Sequence, residues 1–177
     1  MDRRTVLSGG GALIATRVFT VGADARAVPL AATAEDARFM QLAIDEAKQG
    51  DYPFGAVIVR DGKVAARGFN SSKRNADPTA HGEMVAIRTF LNMHEPGDFK
   101  GTTLYTSGEP CVMCMGAIIW CGIPRVVYAA SIEQLATRIG QIDITARQIA
   151  DATSFVSMDL TGGVLASEAM VLFPEKL

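Results

Sequence analysis

The chain has 177 residues, 49% of them hydrophobic and 20% charged, which suits one globular domain and excludes a repeat array, a coiled coil or a disordered tail protein. With 17 basic and 19 acidic residues the net charge is -2, so it lacks the electrostatic footprint of a general nucleic-acid binder. Three cysteines are too few for a disulfide framework. A core of this size buries about two-thirds of the surface the unfolded chain exposes, so a metal is not required merely to fold.

The first 27 residues read apart from the rest. Arg3 and Arg4 precede an apolar, glycine-containing run from Thr5 to Thr16, and Ala25-Arg26-Ala27 offers a small-residue cleavage pattern. The run is well short of the roughly 20 residues that cross a bilayer. Its paired arginines resemble a twin-arginine export signal. The expectation is therefore an export signal over 1–27, a functional domain over 28–177, and a periplasmic or exported location, the alternative being a cytoplasmic protein with an extended N-terminus. Cleavage after Ala27 would leave 13 basic and 17 acidic residues, a net charge of -4.

Thr33 with Asp36 three residues on is a helix N-cap signature, and Phe39, Leu42, Ala43 and Ala47 recur at helical spacing until Gly50, predicting a helix over 34–49. Residues 55–60 and 63–69 flank Asp61-Gly62, a dipeptide suited to a two-residue hairpin turn. Asn70 to Pro78 reads as loop, and Met84, Ile87, Phe90 and Leu91 mark the buried face of a second helix over 80–93. A short strand over 102–106 leads to Pro110, which suits the first turn of a helix running to about Trp120. A strand over 125–130, helices over 132–138 and 144–152, and a last apolar helix over 164–173 complete the pattern. Such alternation implies a mixed sheet covered by helices on both faces, an α/β fold.

Two short pieces about 30 residues apart carry chemistry: Thr79-Ala80-His81-Gly82-Glu83 and Glu109-Pro110-Cys111-Val112-Met113-Cys114. Either alone is weak, since a single histidine is commonly a core or capping residue and a lone C-x-x-C can be a redox pair. Together they propose three zinc ligands. Cys111 and Cys114, at i and i+3 near a helix start, see the positive end of the dipole that favours thiolates. Two soft sulfurs with one imidazole select Zn²⁺, and three protein ligands leave a fourth position for water, as catalytic zinc sites do. His94 has no matching partner, and Cys121 lies two turns beyond Cys114, where ligation would require the helix to break. Glu83, two residues from His81, does not share its helix face and is placed to move a proton rather than to bind metal.

These motifs resemble the cytidine and deoxycytidylate deaminase superfamily of zinc-dependent nucleobase deaminases, in order over residues 34 to about 130. The resemblance implies a three-layer α/β/α sandwich with a mixed five-stranded sheet. It also implies Zn²⁺ on His81, Cys111 and Cys114, with Glu83 shuttling a proton to the ring nitrogen and the departing ammonia. Asn70, the run Asp77 to His81, Leu104 to Ser107, and Met113, Gly116, Ala117, Ile118 and Trp120 look most like the branch holding bacterial guanine deaminases and tRNA adenosine deaminases. Asn70, Ala56 and Trp120 are then candidates for binding substrate, with a turn residue (Asn70) and a core residue (Trp120) as the plainer readings. Family members usually carry alanine where Gly82 stands.

The leading expectation is hydrolytic deamination of a free purine base of guanine type or a related aminated heterocycle, with nucleic acid disfavoured by charge. A tRNA adenosine deaminase, a nucleoside or cytosine deaminase, a non-catalytic zinc-binding module and a thiol redox protein are the alternatives. No stable membrane span is expected. A homodimer is implied by the resemblance, with the apolar segment 164–173 as a candidate interface.

Overall fold

The computed structural model describes residues 31–174. The expected export signal lies outside them. Twelve elements follow in chain order: α1 (Ala34–Ala47), β1 (Gly55–Arg60), β2 (Lys63–Phe69), α2 (Gly82–Leu91), a 3₁₀ turn (Pro96–Phe99), β3 (Thr103–Gly108), α3 (Val112–Cys121), β4 (Arg125–Ala130), α4 (Ile132–Ala136), α5 (Ala146–Ala152), β5 (Asp159–Thr161) and α6 (Ala166–Met170). Among the described residues no helix is long and apolar enough to cross a membrane.

The strands form one five-stranded sheet in the order β2-β1-β3-β4-β5. β1 is antiparallel to both β2 and β3, whereas β3, β4 and β5 are parallel. The mixed sheet expected from the alternating elements is therefore present. Its β1–β2 hairpin turns through Asp61 and Gly62, both at positive φ (51° and 68°), which the right-handed twist of a two-residue hairpin requires.

Side chains alternate across the sheet, and each face has its own core. Ile58, Leu104 and Val126 face Ala86, Phe90, Met115 and Ile118 of α2 and α3. Val57, Tyr105 and Val127 face Phe39, Met40 and Ile44 of α1, with Ala169 of α6. The three layers follow from that alternation.

Two glycines set how closely the layers approach. A Cβ on Gly68 would lie 2.3 Å from the Ala86 backbone nitrogen, and one on Gly55 would lie 2.2 Å from that of Ala47. Backbone therefore packs directly on backbone where α2 crosses β2 and where α1 crosses β1.

The end of the sheet holding the start of β4 is closed by a buried polar cluster. The Thr33–Asp36 capping box begins α1 as the sequence predicts. The Asp36 carboxylate also accepts two bonds from the Arg125 guanidinium, at 2.8 and 3.1 Å, and one from the Tyr105 hydroxyl at 2.9 Å. Burial alone would raise the Asp36 carboxyl, but these bonds, the Arg125 pair above all, outweigh it and hold the group well below its ordinary 3.8.

Several expectations are corrected here. The helix expected over 164–173 is only Ala166–Met170, and the three-residue strand β5 precedes it. Val164, Ala169 and Phe173 are buried in this chain's own core, whereas Val171 of the same segment is exposed. β3 runs to Gly108, two residues past the expected end, because its parallel pairing with β4 continues to Ala130. α3 begins at Val112, leaving Pro110 ahead of the helix rather than in its first turn.

Two outcomes test this packing. Gly68→Ala should cost about 1–3 kcal/mol by overpacking, read as a lowered Tm. Because the folded Asp36 pKa lies below the unfolded one, its contribution is present above pH 3.8 and is lost as pH falls toward the folded value. Asp36→Asn should therefore lower stability at pH 7 and flatten the further loss below about pH 4 in thermal melts.

Candidate metal centre and active site

β2 and β3 run the same way because each is antiparallel to β1, so their carboxyl ends lie at one edge, where open α/β sheets place their ligands. From β2 the chain passes through the loop at 70–80 and enters α2; from β3 it passes through Glu109 and Pro110 and enters α3. His81 is the N-cap residue of α2 and Cys111 that of α3, both with extended backbone (ψ 158° and 170°). Cys114 stands in the first turn of α3, and Glu83 in the first turn of α2.

The structure brings the three expected ligands together. His81 Nδ1 lies 3.7 Å from the Cys111 sulfur and 3.6 Å from that of Cys114, and the sulfurs are 3.7 Å apart. Zn–S bonds of about 2.3 Å and a Zn–N bond of about 2.0–2.1 Å at tetrahedral angles give edges of about 3.8 and 3.6 Å. The triangle therefore fits a zinc ion without rearrangement. Among the described residues these three are the group able to hold a metal. Cys121 closes α3 without a break in the helix, half-buried, with its thiol pushed up by that burial, and it stands outside the metal group.

The electrostatics match a thiolate site. The hydrogen bond with Cys114 and the neighbouring His81 bring the Cys111 thiol down to about 4, against the effect of burial. The Cys114 thiol is pushed up beside it, so the pair surrenders its first proton at Cys111. His81 is raised, chiefly by its hydrogen bond to Cys111. Glu83 is 3% exposed, and burial, with the Cys111 charge adding to it, lifts its carboxyl above the ordinary 4.5.

The other substrate-binding candidates fall in different places. Asn70 is buried at the end of β2, its N–H donating to Phe54 O at 2.8 Å and its carbonyl accepting from Asp51 N at 2.7 Å. Its side-chain Oδ1 accepts from the Ser72 N–H and hydroxyl, so the oxygen is committed to the loop. Ala56 is fully buried, paired with Gly68 and Thr106, and belongs to the core shared with α2. Trp120 is not a core residue: it is 80% exposed and stacks on Phe155, centroids 5.0 Å apart. It stands nine residues past Cys111, roughly 13 Å along the α3 axis and about half a turn round it. A Cβ on Gly82 would meet Phe54 O at 3.0 Å, so the alanine usual in the family would need a shift of only a few tenths of an ångström.

The cations of the 70–80 loop and of α2 find partners within the chain. Arg74 binds Asp51 through Nε at 2.8 Å and donates to Gln49 O at 2.8 Å, Arg88 pairs with Asp77 at 3.5 Å, and Lys73 sits 4.4 Å over the Tyr52 ring. The Arg74 and Lys73 contacts clasp the 49–54 loop to the 70–80 loop that leads to His81. A cavity of about 310 Å³ lies at the other end of the sheet, among Thr33, Asp36, Tyr105 and Arg125, and shares no residue with the metal group.

With this geometry in view, residues 33–130 match the profile of the cytidine and deoxycytidylate deaminase zinc-binding region, more than half of the chain. The chain belongs to this deaminase family. A tRNA-specific adenosine deaminase of Streptococcus pyogenes serotype M1 is 36% identical over 140 residues, 76% of this chain and 78% of that one. A guanine deaminase of Bacillus subtilis is 49% identical over 78 residues, 44% of this chain and half of the relative. The solved structure of a guanine deaminase from Nitrosomonas europaea superposes with a TM-score of 0.64 at 26% identity, covering 82% of this chain and 84% of that one. The deaminase is thus a zinc-binding hydrolase with the cytidine deaminase-like fold, and its relatives include enzymes named for tRNA adenosine and for guanine.

Glu109 and Ser107 stand within the motifs legible in the sequence, but sequence reasoning assigned neither a role of its own. Ser107 Oγ accepts the Gly55 N–H at 3.0 Å, fixing the start of β1 against the end of β3. Their signal was weak, since a polar residue at a strand end is ordinary loop chemistry until its distant partner is known.

Cys114→Ala should leave the fold intact but remove stoichiometric zinc. Metal analysis after dialysis against a chelator should show affinity reduced by more than the 10–100-fold typical of outer-shell changes.

Proposed function

We propose that the deaminase converts a free purine base of guanine type, or a closely related aminated heterocycle, to its oxo form with release of ammonia. The observation that carries this reading is charge: on a chain of net charge -2, Arg74, Arg88 and Arg67 are each paired with a carboxylate. A polyanionic substrate draws on an excess of cations, and a neutral base does not.

Held by His81, Cys111 and Cys114, zinc supplies a water nucleophile at neutral pH by lowering that water's pKa toward about 7. Glu83 would take one proton from this water as its oxygen attacks the ring carbon that bears the amine, and give it to the adjacent ring nitrogen. It would then take the remaining proton from the added hydroxyl and give it to the amine as that group leaves, so the carboxylate is regenerated and water plus aminated ring becomes oxo ring plus ammonia. Asn70, with its oxygen engaged by Ser72, presents its amide N–H groups as donors to an acceptor on the substrate. The homodimer belongs to this proposal: the exposed Trp120–Phe155 pair is apolar surface that a second copy would cover.

A second reading, deamination of adenosine in tRNA, is favoured by the 36% identity to a tRNA-specific enzyme over 78% of that enzyme's length.

Purified protein should release ammonia from guanine in a zinc-dependent way, and Glu83→Gln should keep its zinc while kcat falls by at least about 10²-fold. Ammonia release from tRNA adenosine with steep salt dependence, and none from guanine, would replace the first reading by the second.

A further inference from the structure

Glu109 lies two residues before Cys111, buried at 6% exposure. Among the described residues its carboxylate pairs with no lysine or arginine. Instead Oε2 accepts the N–H of Ile132 at 2.8 Å and Oε1 accepts the N–H of Ala146 at 2.8 Å. Those residues open α4 and α5, and the first N–H groups of a helix have no partner inside it. Ser131 and Thr145 cap the same two helices, but their hydroxyls take the N–H groups of Gln134 and Gln148 and leave the first ones to Glu109. One buried anion thus closes two positive helix ends at once.

The same residue is held through its backbone. Glu109 N–H donates to Ala130 O at 2.7 Å, extending the β3–β4 pairing by one step beyond Gly108. Three hydrogen bonds and the fixed φ of Pro110 then define where Cys111 leaves the sheet. Cys111 has no side-chain cap bond of its own; within α3 its carbonyl accepts the Met115 N–H at 2.8 Å.

We propose that Glu109 is a positioning residue for the metal centre: its buried carboxylate ties the N-termini of α4 and α5 to the strap that carries the Cys111 sulfur, and so sets the metal's affinity and ligand geometry. The inference rests on the three-ligand site and not on which ring is deaminated, so failure of the guanine assay leaves it standing.

The test uses the full chain and two metal readouts that need no turnover: zinc affinity by chelator competition, and the absorption spectrum of the cobalt-substituted protein. Glu109→Gln keeps the shape but can accept from only one helix, because its NH₂ faces the other N–H. It should weaken zinc binding by about 10–100-fold and shift the cobalt bands. Glu109→Asp, shorter by one methylene, keeps the charge without reaching both helices and should fall between Gln and wild type; it also serves if the Gln variant does not fold. The Ser131→Ala/Thr145→Ala double variant removes the caps of the same helices and leaves both Glu109 bonds. It should melt at lower temperature with zinc affinity within about twofold of wild type and an unchanged cobalt spectrum. Wild-type affinity and spectrum in Glu109→Asp or in folded Glu109→Gln would overturn the proposal. So would an equal loss of zinc in the double variant, since affinity would then follow helix stability alone.

Discussion

Everything about this site depends on two helix N-caps meeting at one edge of a sheet. An imidazole and a thiol leave the chain from His81 and Cys111, residues whose extended backbone lets the side chain point away from the helix it begins. Their approach to 3.7 Å requires β2 and β3 to end on the same side, which they do only because β1 lies reversed between them. A metal then draws together charges that would otherwise oppose burial. The dithiol yields its first proton readily, and the helix ends favour the anion that forms.

Two buried carboxylates brace the sheet at its opposite ends by different means. Asp36 is matched with a cation, Arg125, together with the hydroxyls of Thr33 and Tyr105. Glu109 is matched with the open ends of two helices instead. Breaking either one leaves a buried charge without its partners, a larger cost than the loss of an exposed ion pair. The first end carries the stability that depends on acid pH, and the second lies against the metal ligands. Between them, Gly55 and Gly68 allow α1 and α2 to lie directly on the strands, so the position of His81 follows from contacts a methyl group would prevent.

Much of the fold was legible before any coordinates, element by element. The Thr33–Asp36 box, the Asp61-Gly62 turn and the helical spacing of Met84, Ile87 and Phe90 depend on neighbours within four residues, and these readings hold. β5 escaped notice because Asp159-Leu160-Thr161 is too short for an alternation signal; its strand state comes from pairing with Arg125 to Val127. The last helix was read too long because apolar spacing does not reveal that Gly163 and Leu165 turn through positive φ. At the site, donor chemistry and spacing identified His81, Cys111 and Cys114. The same reasoning left Trp120 undecided between core and pocket wall, and it stands 80% exposed.

The sequence by itself determined the kinds of donor atom, their order, the hairpin and the starts of α1 and α4, because capping, turn chemistry and periodicity are short-range interactions. Only the tertiary structure decided that residues 30 apart close a triangle of zinc dimensions, and that Glu109 reaches partners 23 and 37 residues away. Such approaches are set by strand order and by how closely two backbones can pack. Those quantities belong to the assembled sheet and not to any local stretch of chain.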